Sequence, residues 1–210
     1  MDHAPARIVL VTGGSSGIGA DVARQLADAD THVVVNYREN SERAESIAEA
    51  IRIAGGHAST VRADIADQAE CAAMIKTIEA RFGRLDTLVL NASVAVELGA
   101  HPGLAMRRNR DAQRRLASMA VPLMPEGAHI VFVTSHQGHF FPYKAVPKGH
   151  TAVAASMQAG EATLHAMRPE FHRAGVHFTV VSGDVADEHF AGAIANVANT
   201  PNPSSVVCVA

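Results

Sequence analysis

The 210-residue chain has no tryptophan, only two tyrosines and only two cysteines. Cys71 and Cys208 stand alone, so neither a disulfide framework nor a cysteine metal clip is expected, and a reducing, cytoplasmic setting follows. No long apolar run occurs. The runs are about 4–8 residues, against roughly 18 or more to span a bilayer. Residues Met1 to Ala6 lack a basic-then-apolar export pattern. No excess of one charge is present either: 18 Lys plus Arg meet 21 Asp plus Glu, for a formal charge of −3. That balance gives no reason to expect nucleic acid or an anionic membrane as partner. What remains is a length suited to one domain, expected over residues 1–210, with 48% apolar residues to build its core.

Short Val/Ile-rich runs alternate with helical patterns. Arg7–Val11, His32–Val35, His57–Val61, Thr87–Leu90, His129–Val133, Val176–Val181 and Val206–Val209 read as strands buried on both faces. Between them, Ile18, Val22 and Leu26 mark a first helix. Ser41 as cap, a stripe of Ala44, Ile47, Ala48 and Ile51, and Gly55 as stop mark a second. Asp67 and Glu70 begin a third like a capping box; Cys71, Ile75, Ile78 and Phe82 form its stripe and Gly83 ends it. A fourth helix is expected over Leu104–Met119. A fifth runs from Thr151 to Arg173, ended or bent by Pro169, and a weaker sixth covers Glu188–Val197. This alternation predicts an α/β fold: a Rossmann-type, doubly wound parallel sheet of seven strands in three αβα layers. Residues 136–150 are the main irregular stretch, long enough to be functional.

The first strand runs into Thr12-Gly13-Gly14-Ser15-Ser16-Gly17-Ile18-Gly19 and then a helix. Gly13 can take a positive φ at the turn, Gly17 lets backbone approach a pyrophosphate, and Gly19 lets helix and strand pack closely. The helix start offers free N–H groups and partial positive charge to phosphates. A strand–loop–helix setting at the head of a βαβ unit favours dinucleotide binding over a plain glycine-rich turn.

Thr-Gly-x-x-x-Gly-x-Gly resembles the cofactor motif of the short-chain dehydrogenase/reductase family, and the likeness extends over essentially the whole chain. Asp64-Ile65 resembles the family's adenine-contacting segment. Asn91-Ala92-Ser93 resembles its Asn-Ala-Gly motif, with Ser93 in place of Gly. Val133-Thr134-Ser135 resembles the segment carrying the active-site Ser, and Asn109 matches the Asn that organises a proton-relay water. The resemblance implies an oxidoreductase moving hydride between a nicotinamide and a small carbonyl or alcohol, 3-oxoacyl reductases being one branch, and a homodimer or homotetramer. Cofactor contacts are expected at Gly13, Ser15, Ser16, Gly17, Ile18, Gly19, Asn36, Arg38, Asp64, Ile65, Asn91 and Ala92. The second strand ends in Asn36-Tyr37-Arg38, with no acid before Glu39. Arg38 offers a fork for a 2′-phosphate, so NADP(H) is expected ahead of NAD(H). Ser16, where many NADP enzymes carry Arg, argues the other way, and Arg38 also reads as a solvated loop residue.

The catalytic half departs from the family. Its members carry a Tyr and a Lys four residues apart on the fifth helix, where Lys⁺ lowers the phenol pKa for proton transfer. Here the tyrosines are Tyr37, on the adenosine side, and Tyr143, which has Pro147 four residues on and Lys148 five. Ala154-Ala155-Ser156-Met157 resembles the stretch around that Lys. The register puts Val153 in the Tyr slot and Met157 in the Lys slot, both read as helix core. Ser135 and Asn109 remain as candidate catalytic residues, with His150, one turn before Val153, and Tyr143 as titratable substitutes. Three readings stay open. The acid/base is replaced by His150, Tyr143 or water; or the chain binds NADP without turnover, as a sensor or subunit; or it holds a substrate-like ligand at Ser135 without redox chemistry.

His136, His139 and His150 share the long loop with Phe140, Phe141 and Tyr143. These residues read either as a substrate mouth or as an ordinary surface loop. No carboxylate or cysteine joins them at ligand spacing, so no metal is expected. Arg107, Arg108, Arg110, Arg114 and Arg115 form a basic stretch. It suits an acidic partner such as a phosphopantetheine carrier, and more plainly a solvated face or subunit contact. Ser182-Gly183-Asp184 stands where the family has Pro-Gly, and the segment from there to Ser204 is short for a substrate lid.

Overall fold

A computed structural model describes residues 6–92, 103, 106–184, 186–201 and 203–209. Its strands are β1 (Arg7–Val11), β2 (Thr31–Tyr37), β3 (His57–Arg62), β4 (Thr87–Leu90), β5 (His129–Ser135), β6 (His177–Gly183) and β7 (Val206–Cys208). They form one seven-stranded sheet in the order β3-β2-β1-β4-β5-β6-β7, every pairing parallel. Successive side chains point to opposite faces, which divides each apolar run between two cores. Ile8, Leu10, Leu88, Leu90, Ile130 and Phe132 face one layer of helices. Val9, Val11, Val33, Val35, Val89 and Val131 face the other. This two-sided burial explains why the runs are continuous instead of alternating.

The helices are α1 (Gly17–Leu26), α2 (Ser41–Ile53), α3 (Gln68–Phe82), α4 (Ala112–Ala120), α5 (His136–His139), α6 (Thr151–Ala166), α7 (Arg168–Arg173) and α8 (Phe190–Asn199). A π-helical turn, Arg107–Asp111, leads into α4. The layer beside α1 also holds α2 and α8, and α3, α4 and α7 contribute to the other. Among the described residues no helix is long and apolar enough to cross a membrane. Both cysteines are free, Cys71 buried and Cys208 exposed. Burial pushes the Cys71 thiol pKa up, against the pull of Arg115.

Several elements differ from the sequence expectations. Asn40, not Ser41, caps α2, its side chain accepting from Arg43 N. The start of α3 is half a capping box. Asp67 accepts from Glu70 N, but the Glu70 carboxylate accepts from Asp64 N instead of reaching back to Asp67. β2 extends through Asn36 and Tyr37 because both pair with β3. The fifth helix is two, divided at Met167 with Pro169 in the first turn of α7, where its missing N–H costs nothing. The sixth helix begins at Phe190, later than expected. Residues 136–150 are not wholly irregular, since Ser135 accepts from Gly138 N and starts the α5 turn. Ser93 and Leu104 lie outside the described residues, as do the side chains of Arg107 and Arg108.

Candidate functional site

Strand order reverses between β1 and β4, so the connections leaving their carboxyl ends turn to opposite faces and leave a crevice there. The crevice measures about 580 Å³. All of the residues expected to contact a cofactor line it: Gly13, Ser15, Ser16, Gly17, Ile18, Gly19, Asn36, Arg38, Asp64, Ile65, Asn91 and Ala92, joined by Tyr37, Glu39, Asn40 and Ala63.

Thr12 holds the crevice floor together. Its hydroxyl donates to Val89 O and accepts from Asn91 N and Ala92 N at 3.0 Å each, locking β1 to the end of β4. The Asn91 amide donates back to Thr12 O. Asn36 is a strut: it accepts from Gly13 N and donates to Ala63 O, spanning β1 to β3, and is 2% exposed. Gln113 of α4 donates to Ala92 O, and Arg115 donates to Ile65 O and Ala66 O, fixing the loop after β3. The sequence reading had not placed Thr12, Gln113 or Arg115 at the site. Only Thr12 carried a signal, as the first residue of the glycine motif. The basic stretch is thus partly spent inside the fold: Arg115 grips this loop and the exposed Arg110 pairs with Asp111.

The first turn of α1 is suited to an anion. Ser16 at its N-cap makes no side-chain cap bond, and no acid occupies the first turn. By contrast α2 and α3 have Asn40 and Asp67 bonded at their caps, with Glu42 and Glu70 behind them. The leading N–H groups of α1 therefore keep their donors for a ligand. Gly17 has φ +53 with open space where a side chain would be, so backbone lines the cradle. A side chain at Gly19 would overlap Gly13 O and the Asn91 amide, which is the close packing expected of the third glycine. These features fit a dinucleotide pyrophosphate.

One strand beyond β4, β5 ends in Ser135. Its hydroxyl accepts from Gly138 N and faces Met157 Sδ at 3.8 Å. A thioether is a weak acceptor and carries no proton. Met157 is half-buried against Ser135, not helix core as expected, and Val153 one turn earlier is also half-buried. Asn109 is buried in the π-helical turn and donates to Ser156 Oγ at 3.0 Å. Its carbonyl lies against Gly160, where a Cβ would come within 2.6 Å. His150 occupies the N-cap of α6 without a side-chain cap bond, and Tyr143 is 92% exposed. Ser135, Asn109 and Met157 thus converge on α6, while Tyr143 stands in solvent.

A second polar cluster lies one turn further along α6. Glu161 is buried, with both carboxylate oxygens 2.9 Å from His139 Nδ1 and one 3.6 Å from His165 Nε2. Burial lowers the His165 pKa, against the pull of Glu161. His136, also in α5, bonds Ser182 Oγ and Val209 O. Two of the three loop histidines are therefore tied into the fold. Among the described residues no group of three His, Cys, Asp or Glu is placed to hold a metal ion.

A doubly wound sheet with an anion cradle at its switch point defines a dinucleotide-binding protein of the Rossmann type. The model of the short chain dehydrogenases matches residues 7–182, and the chain belongs to that family of oxidoreductases. It is 45% identical over 85 residues to the 3-oxoacyl-(acyl-carrier-protein) reductase FabG of Staphylococcus aureus, a match covering 40% of this chain and 35% of that relative. It is 30% identical over 213 residues to the 1-cyclohexenylcarbonyl-CoA reductase of Streptomyces collinus, covering 96% of this chain and 72% of the relative. A short chain dehydrogenase from Burkholderia cenocepacia J2315, solved in complex with NADP, superposes with TM-score 0.81 at 25% identity, covering 97% of this chain and 96% of that one.

Proposed function

We propose that this chain binds NADP(H) in the crevice and transfers hydride between it and a carbonyl or alcohol substrate, with acyl thioesters of the 3-oxoacyl type as the first class to test. The observation that carries the reading is the unfilled first turn of α1, with no cap bond and no acid, opening on a crevice lined by Arg38, Asp64 and Asn91. Arg38 supports NADP(H) over NAD(H), as does the NADP complex of the Burkholderia relative. Two relatives named as reductases of acyl-carrier-protein and CoA substrates support the thioester class.

In this reading Ser15, Ser16, Gly17 and Ile18 hold the diphosphate, and Asp64 and Ile65 hold the adenine. The nicotinamide, when bound, is the hydride donor or acceptor. Ser135 orients the substrate oxygen, since Met157 is too weak an acceptor to compete for its proton. Asn109 fixes α6 through Ser156. His150, at the start of α6, is the group to which we assign proton transfer; an imidazole suits that task near neutral pH. The chain works as a cytoplasmic homodimer or homotetramer.

A second reading, a nucleotide-binding chain without turnover, is favoured by one observation: the side chain against Ser135 is Met157, which moves no proton. NADPH oxidation measured with 3-oxoacyl thioesters, ketones, aldehydes and quinones separates the two. Turnover that falls about 100-fold in Ser135→Ala and also falls in His150→Ala is the result expected. Tight nucleotide binding with no turnover across the panel leaves the second reading. Calorimetry showing no binding of either NADP(H) or NAD(H) overturns both.

A further inference from the structure

The connection from β2 to α2 is three residues long, Arg38, Glu39 and Asn40, and all three line the crevice. The crevice lining includes one cation, Arg38, and two carboxylates, Glu39 and Asp64. Arg38 Nη2 lies 2.8 Å from Glu39 Oε1, with both side chains open to solvent at 40% and 77%. Arg62, at the end of β3, pairs with Glu70 at 3.7 Å, and Arg52 of α2 is held by Glu45 and Glu49. Among the described residues Glu39 is the one ion-pair partner of Arg38.

A carboxylate and a phosphate monoester take the same donors from a guanidinium, because both offer paired oxygens to its planar fork. Nη2 is the contested donor: a phosphate that takes the fork through Nη2 displaces Glu39 from it. The phosphate carries about −1.5 to −2 charges at neutral pH, so a carboxylate left beside it also repels it. A nucleotide with a free 2′-hydroxyl asks for no such exchange and leaves the pair in place. We infer that Glu39 is an internal competitor for the cofactor's 2′-phosphate at Arg38, and that it sets how strongly the crevice prefers NADP(H) to NAD(H). The inference rests on the reading of this crevice as a nicotinamide dinucleotide site. Glu39 lies beyond the strand end where an acid would hold the ribose diol of NAD(H), and its carboxylate is turned onto Arg38.

Titration calorimetry of the wild type, Glu39→Gln, Arg38→Gln and the double variant tests the inference. The probes are adenosine 2′,5′-bisphosphate and 5′-AMP, followed by NADP⁺ and NAD⁺. All four proteins keep the fold, since both side chains are exposed. The expected result is that Glu39→Gln binds the 2′-phosphorylated ligands about fivefold more tightly, the size of one exposed ion pair. AMP and NAD⁺ should be unchanged. The gain should vanish in the Arg38→Gln background and shrink in 0.5 M NaCl, a salt level chosen because it screens exposed charges within roughly 4–5 Å. An unchanged affinity for the 2′-phosphorylated ligands, or the same gain without Arg38, overturns the inference and leaves the dinucleotide site standing. Weaker AMP and NAD⁺ binding in Glu39→Gln also overturns it, by making Glu39 a ligand of the ribose diol. If the wild type binds none of the four probes, the functional reading falls and the inference goes with it.

Discussion

Acid should unfold this protein through two histidines at the amino ends of its strands. His129 opens β5 and is 4% exposed, and its Nε2 lies 3.0 Å from Thr179 Oγ1. The Thr179 hydroxyl donates its own proton to Ser204 O, so it must accept from His129 Nε2–H. That fixes the tautomer. Nδ1 is then a bare lone pair, buried and without a partner among the described residues. Protonating it would bury a charge and an N–H with no acceptor. Desolvation first, then the charges of His177 and Arg7, accordingly lower the His129 pKa from 6.5 to about 4. His32, at the start of β2, is 7% exposed and bonds Ser59 Oγ at 2.8 Å. Burial, then Arg81, His57 and Arg52, lower its pKa to about 4 as well.

Both shifts disfavour the cation in the folded state. The stability they confer is complete above pH 6.5, where the unfolded chain is also neutral, and is lost as pH falls from there to about 4. At pH 5 the unfolded chain binds a proton at each histidine and the folded chain does not, a loss of roughly 2 kcal/mol per histidine relative to pH 7.5. The two sit three strands apart, roughly 14 Å, so the losses should add to about 4 kcal/mol. Urea melts at pH 7.5 and 5.0 measure it, with His32→Gln/His129→Gln as the reference that cannot titrate. The wild type should lose about 4 kcal/mol more than the double variant on acidification, at unchanged m-value. Equal losses in both proteins would refute the argument.

Three other substitutions probe the site. Gly19→Ala drives a methyl into Gly13 O and the Asn91 amide; it should cost about 1–3 kcal/mol in urea melts and at least about tenfold in nucleotide affinity by calorimetry. Ser135→Ala removes the cap of α5 and should cost about 1 kcal/mol of stability. It should also lower NADPH turnover about 100-fold, as loss of a donor to the reacting oxygen does, with nucleotide affinity unchanged because Ser135 lies outside the crevice lining. His139→Phe leaves the Glu161 carboxylate buried with His165, at 3.6 Å, as its one remaining partner among the described residues; a loss of about 3 kcal/mol is expected in thermal melts, and His139→Phe/Glu161→Leu should recover most of it.

The strands were legible because their Val/Ile runs satisfy both faces of a covered sheet, and β1 and β4 were read to the residue. β2 was read short because Asn36 and Tyr37 belong to the strand by pairing, not by apolarity. The α5 turn escaped because four residues, His-Gln-Gly-His, have no periodicity; what folds them is the Ser135 cap and the clamp of His139 on Glu161. Glu161 was legible only as one member of a helix, since a carboxylate's burial is decided by which loop folds back over it. Arg115 likewise looked like part of a solvated basic face until the loop after β3 was seen to lie under its guanidinium.

The two halves of the site differ in how far local sequence decides them. A pyrophosphate cradle is made of backbone: a positive φ at Gly13 and Gly17, close packing at Gly19 and unspent N–H groups at a helix start. Each of these requirements limits the residue types allowed within eight consecutive positions, so the motif carries its own evidence. Proton transfer is made of side chains brought from β5, the π-helical turn and α6, and any titratable group that reaches the reacting oxygen will serve. The Ser135 hydroxyl meets a thioether and the amide of Gly138, while the Asn109 side chain is bonded to Ser156 of α6. None of these moves a proton at neutral pH. If the chain turns over, its proton must come from another group, and the one we assign is His150, the N-cap residue of α6. The pH profile of turnover should then follow an imidazole, and a profile flat through pH 5–8 and unchanged in His150→Ala would place the proton in bulk water.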